Sequence, residues 1–139
     1  MQKHLSALLV GFALLFGGRF TASSLPLNPA PTLLTTPVTA LAFSPDGSRL
    51  AVGTLRTVLL LDAKTGKQLA LLSGHAGAVT SLAFRADGKV LAVAGGSPGK
   101  FGEIRLWSMA TNKPLKTLTG HADVIYSVAF RPDGQRLAA

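Results

Sequence analysis

The sequence has no cysteine. That excludes a disulfide, a thiolate-bound zinc, a cysteine nucleophile and a lipid-modified cysteine anchor. Charge is scarce as well: only 14% of residues are Asp, Glu, Lys or Arg, against ~25% in an ordinary soluble domain. Low charge combined with 15 glycines suits strands and turns better than helices. Acidic residues are the scarcest, six against 14 lysines and arginines, for a net charge of +8. A basic balance is compatible with nucleic acid or anionic lipid. The basic residues do not cluster along the chain, however. Lys64, Lys67, Lys89, Arg131 and Arg136 lie in or beside expected turns, so they read as solvated surface charge and no nucleic-acid partner is expected. No phosphate loop or Ser/His/Asp arrangement is present. Gly95-Gly96 and Gly99 to Gly102 lack the strand–Gly–helix context of a dinucleotide site.

What is present begins with Lys3, followed by the apolar run Leu5 to Gly18, Arg19, and the small residues Thr21-Ala22-Ser23-Ser24. A basic start, a short apolar core and a small-residue exit describe an export signal. As a helix, residues 5–18 would rise about 21 Å, short of the ~30 Å hydrocarbon core. A cleaved signal is therefore expected over residues 1–24, with cleavage after Ser23 or Ser24. The alternative is an uncleaved N-terminal membrane anchor, in which case residues 5–18 are the only membrane contact. Pro26, Pro29, Pro31 and Pro37 deny residues 25–37 a helix or a sheet ladder, so this segment is read as an extended linker.

Three segments then align without gaps, starting at Val38, Val79 and Ile125. Each holds an apolar strand, a turn dipeptide (Asp46-Gly47, Asp87-Gly88, Asp133-Gly134) and a second apolar strand. Glycine after aspartate supplies the positive φ that a tight hairpin needs. A third strand is expected over 57–61 and 103–107, a fourth over 68–72 and 114–118, and then Gly74-His75 or Gly120-His121. The longer second interval is assigned to a glycine-rich loop, Gly95 to Gly102. Four short antiparallel strands every ~40–45 residues is the period of one propeller blade.

Gly74-His75, Gly120-His121, the Phe-x-x-Asp-Gly turns and Ile104-Arg-Leu-Trp107 resemble the WD-repeat (WD40) family over residues 38–139. The Ser-Pro-Asp-Gly form and the glycine-rich insertion resemble its bacterial members. The resemblance implies an all-β fold: an incomplete β-propeller of about two and a half four-stranded antiparallel blades, preceded here by the N-terminal hydrophobic helix. A propeller typically closes with 4–8 blades, so the chain is expected to be a fragment lacking C-terminal blades. The resemblance also implies a buried network of the Gly-His histidine, a Ser or Thr, an Asp and the Trp. Only His75 and Trp107 match; residues 90–94 offer no hydroxyl, and Glu103 stands where an Asp is expected.

His75 and His121 occupy equivalent repeat positions one blade apart, so they are read as structural and no metal site is expected. Asp46, Asp87 and Asp133 are read as turn formers with Gly47, Gly88 and Gly134, not as catalytic carboxylates. No cofactor is expected. The functional expectation is an exported, non-catalytic scaffold for protein partners. The alternative is an accessory propeller of a larger exported enzyme or cytochrome-type protein, whose catalytic residues or haem-attachment motif would lie beyond residue 139.

Overall fold

A computed structural model describes residues 36–139. The expected hydrophobic helix and export signal (1–24) and most of the linker (25–37) lie outside the described residues. Within them the chain is all-β, with ten strands and no helix.

The first sheet is β1 (Ala40–Phe43), β2 (Arg49–Gly53), β3 (Val58–Asp62) and β4 (Gln68–Leu72), hydrogen-bonded in chain order. The second repeats it with β5 (Ala78–Phe84), β6 (Val90–Ser97), β7 (Phe101–Ser108) and β8 (Pro114–His121). The hairpin of β9 (Ala129–Phe130) and β10 (Leu137–Ala138) begins a third unit. Every pairing is antiparallel. Each unit opens on the same turn, with Gly47, Gly88 and Gly134 at φ 70°, 67° and 69°. Gly47 donates its N–H to the Ser44 carbonyl at 2.8 Å, a geometry that a side chain at that φ would strain. At the later turn of each unit, Gly66 and Asn112 take the same left-handed conformation (φ 70° and 54°), Asn being the residue that best tolerates it after Gly.

Side chains alternate across a strand, so each sheet offers two faces. One face of the first sheet, carrying Ala51, Val58, Leu60 and Leu72, packs against Leu82, Leu91, Val93 and Trp107 of the second. The opposite face of the second sheet, with Ala92, Ala94 and Ile104, packs against Ile125 and Val128. β6 is buried along nearly its whole length because it is covered on both faces, whereas the outer strand β8 is mostly exposed.

Two sequence expectations need correction. The stretch Gly95 to Gly102 is mostly strand: β6 continues to Ser97, β7 starts at Phe101, and only residues 98–100 turn. The glycines here permit close approach. A Cβ on Gly95 would lie 2.0 Å from the Ala78 carbonyl oxygen, well inside any tolerable contact. The second correction concerns the third hairpin. It is shorter than expected, because residues 125–128 bond to the second sheet before their own strand begins. The Thr80 hydroxyl donates to the Ile125 carbonyl, and Val128 N–H donates to Ser81 Oγ at 3.2 Å.

Candidate functional site

Antiparallel order places the β1–β2 and β3–β4 turns at one end of a sheet, and the β2–β3 loop and the exit from β4 at the other. The same holds for the second sheet. The molecule therefore has a turn end and a loop end.

At the turn end the aspartates of the Asp-Gly dipeptides are held by their own turns. Asp46 accepts hydrogen bonds from the Ser44 hydroxyl (2.5 Å), the Ser48 hydroxyl (2.8 Å) and the Ser48 N–H (3.1 Å). Asp87 takes a forked pair from Arg85 (Nε 3.0 Å, Nη2 2.8 Å) and the Lys89 N–H at 2.9 Å. Asp133 repeats the pattern with Arg131 and the Gln135 N–H. These bonds favour the ionised form. The Ser44 hydroxyl, ahead of the Ser48 groups, pulls Asp46 down to about 2. Arg85 and Arg131, followed by the turn N–H groups, lower Asp87 and Asp133. A general acid at neutral pH needs the opposite displacement, so these carboxylates are turn locks. Asp46 and Asp87 stand on the rim of a groove of about 370 Å³ between the first two turns, and Asp87 and Asp133 on one of about 200 Å³ between the next two. Arg49 ties the first turn to the second sheet by donating to the Met109 carbonyl at 3.0 Å.

His75, entering from the loop end, meets Trp107, which pairs with Leu91 and Pro114 toward the turn end of β7. His75 is 6% exposed and Trp107 4%; their ring centroids are 5.7 Å apart at 45°. Neither His75 Nε2 nor Trp107 Nε1 has a hydrogen-bond partner among the described residues. The pair is a packing contact, and the four-membered network implied by the resemblance is absent. Glu103 takes on a different task. It is buried, accepts the Ala76 N–H at 2.9 Å and lies 3.4 Å from Arg105 Nε. It thus anchors the Gly74-His75 loop to β7, a role the sequence reading did not assign. The signal was legible: a charged pair two residues apart on an otherwise apolar strand shares one face. His121, the repeat equivalent of His75, is exposed, with no tryptophan against it among the described residues. On the same end Asp123 receives the Gly99 N–H at 2.8 Å and its own neighbour Val124 N–H at 2.7 Å.

Among the described residues no three His, Asp or Glu converge as metal ligands. The grooves and the locked aspartates recur from turn to turn, whereas the histidine–tryptophan contact occurs once among the described residues. The family model described as "WD domain, G-beta repeat" matches residues 29–62, 66–108 and 112–139. The chain belongs to the WD40 family. The second WD40 unit begins at the turn before β4, in the first sheet, and ends with β7 of the second, and the third runs from β8 to β10, so these two sequence repeats straddle successive blades. Similar solved structures include the WD40 repeats of RRP9 (27% identity, TM-score 0.62, covering 70% of this chain and 30% of that one). U3-55K matches at 27% identity and TM-score 0.62, over 70% and 31% of the two chains. The β-propeller domain of Cps50 (Swd1) from Myceliophteria thermophila matches at 27% and 0.60, over 68% and 29%. The chain thus spans about 30% of the length of these WD40 structures. No curated protein matches it.

Burial, then the charge of Arg105, lowers His75 from 6.5 to about 4, with Glu103 partly opposing them. The folded chain refuses a proton that the unfolded chain accepts below pH 6.5. Stability is therefore full above pH 6.5 and is lost as pH falls toward 4. Solvent screening at the loop rim reduces the full linkage to about 1–2 kcal/mol. Urea titrations from pH 7 to pH 4 should show this fall, and His75→Phe should flatten it. An equal fall in the variant would assign the effect to other groups.

Proposed function

We propose that this WD40 chain is a non-catalytic scaffold for protein partners that acts after export from the cytoplasm. WD40 repeat proteins typically serve as interaction scaffolds, and the feature that carries the reading here is rigidity between blades. Thr80, Ser81 and Arg49 each bond across a sheet-to-sheet boundary, to Ile125, Val128 and Met109. Turns on neighbouring blades are thereby held at fixed spacing, and fixed spacing lowers the ordering cost a partner must overcome. The locked, ionised aspartates support a non-catalytic reading. The basic, apolar and small-residue order of residues 1–24 supports export.

One experiment tests both parts. The full-length coding sequence, expressed in its native host and cross-linked in the periplasmic fraction, should yield a mature chain beginning at Ser24 or Leu25. Its cross-links to a partner protein should fall on the turns or loops. Recovery only from the cytoplasm overturns export, and cross-links confined to the chain itself overturn the scaffold.

A further inference from the structure

Lysines and arginines scattered along the sequence are gathered by the fold. Lys64 and Lys67 flank the β3–β4 turn, Lys89 and Arg136 sit in Asp-Gly turns, and Lys113 closes the β7–β8 turn. All of these turns lie at the turn end, and backbone bonds join them. Ala63 N–H donates to the Ser48 carbonyl, and Met109 N–H to the Lys89 carbonyl, both at 2.9 Å. The two grooves then join one Asp-Gly turn to the next. All five cations are exposed, and their side chains make no hydrogen bond or ion pair among the described residues. The carboxylates of this end are already engaged: Asp46, Asp87 and Asp133 as above, and Asp62 by the Thr65 hydroxyl (2.8 Å) and N–H (2.7 Å). The loop end is nearly balanced by comparison, with Arg56, Lys100 and Arg105 facing Glu103 and Asp123.

We propose that the turn end is a docking surface for an acidic peptide segment, an extended stretch of a partner protein carrying spaced Asp or Glu residues. This rests on the scaffold reading and names the chemistry of its partner. Uncompensated positive charge at a surface attracts and orients an anionic partner. The form of the surface selects among anions. Four of the five unpaired groups are lysines, which are point charges on flexible stems and lack the planar fork that grips phosphate in two places. No aromatic residue lines either groove, so the grooves themselves offer no platform for stacking unpaired bases; the exposed Phe43 stands outside their lining. The turn aspartates stand between the cations, so a continuous row of phosphates would meet repulsion at each turn. Carboxylates spaced along a peptide can sit beside Lys89 or Arg136 and leave neutral residues opposite Asp87 and Asp133. Grooves of about 370 and 200 Å³ admit side chains, not a duplex.

The test uses the full chain and a fluorescent oligoglutamate of about ten residues, with binding read by anisotropy. Binding should weaken about tenfold or more when salt is raised fourfold. The combined variant Lys64→Glu, Lys67→Glu, Lys89→Glu and Lys113→Glu should weaken it at least about tenfold. Lys100→Glu, at the loop end, should leave it within about twofold. All substituted positions are exposed turn residues, and circular dichroism checks that the variants fold. Equal binding by wild type and the fourfold variant overturns the proposal. So does tighter binding to a DNA duplex of matched charge or to phosphatidylserine vesicles. If oligoglutamate fails to bind while the cross-linking experiment captures a protein at the loop end, the scaffold reading stands and the acidic-segment inference falls.

Discussion

Replacing Gly95 with alanine should destabilise the chain by about 3 kcal/mol or more, among the largest effects of any single methyl group in this molecule. The added Cβ would lie 2.0 Å from the Ala78 carbonyl oxygen and 2.9 Å from its carbon. Both are backbone atoms of β5, paired with β6 on one side and carrying the Thr80 and Ser81 links to Ile125 and Val128 on the other. A flexible side chain could swing away from such a clash; a strand held on two sides cannot. The strain should therefore appear as lost pairing between β5 and β6 and a loosened third hairpin. Urea unfolding followed by circular dichroism measures the cost, and hydrogen exchange at β5, β6 and residues 125–128 locates it. A midpoint within about 1 kcal/mol of wild type would mean that the two strands do not approach this closely.

Trp107 gives the second large effect, and two substitutions separate its causes. Trp107→Ala should cost about 3–5 kcal/mol, because it opens a cavity where the first sheet meets the second. Trp107→Phe should cost only about 1–1.5 kcal/mol. The indole N–H has no partner among the described residues, so phenylalanine removes volume but no hydrogen bond. In a WD40 chain with the full buried network, losing the indole donor would strand its acceptor and add a desolvation penalty. A Trp107→Phe cost near that of alanine would show that such a bond exists here and would overturn the packing account of the His75–Trp107 contact.

Much of this architecture was legible in the residues. The Asp-Gly turns, the apolar strands either side of them and the four-strand period each follow from local chemistry, and all recur in register. The roles of Asp46, Asp87 and Asp133 as turn formers were readable too, since an aspartate before glycine bonds its own backbone two residues on. The Gly95 to Gly102 stretch was misread as a loop because glycine signals a turn and a close backbone approach equally well. Only the neighbouring carbonyl of Ala78 distinguishes them. Glu103 and Arg105 were visible as an ion pair on one strand face, but what Glu103 holds, the Ala76 N–H, lies across the sheet boundary. The basic turn end was hidden for a different reason. Lys64, Lys89 and Lys113 are far apart in the chain, and only the strand order brings their turns to one edge.

The offset between sequence unit and blade bears on how such a chain can change its blade number. Loss of residues 66–111 by unequal recombination would remove β4 to β7 and join β3 to β8. Asn112 would then stand where Gly66 stood, in the same left-handed backbone conformation, and β8 would occupy the place that β4 left beside β3. Every sheet would keep its fourth strand and its register, and the Gly-His loop would follow as before. Gain of a unit obeys the same geometry in reverse. Crossovers between equivalent positions in these turns alter the blade number in whole blades without leaving a half-built one.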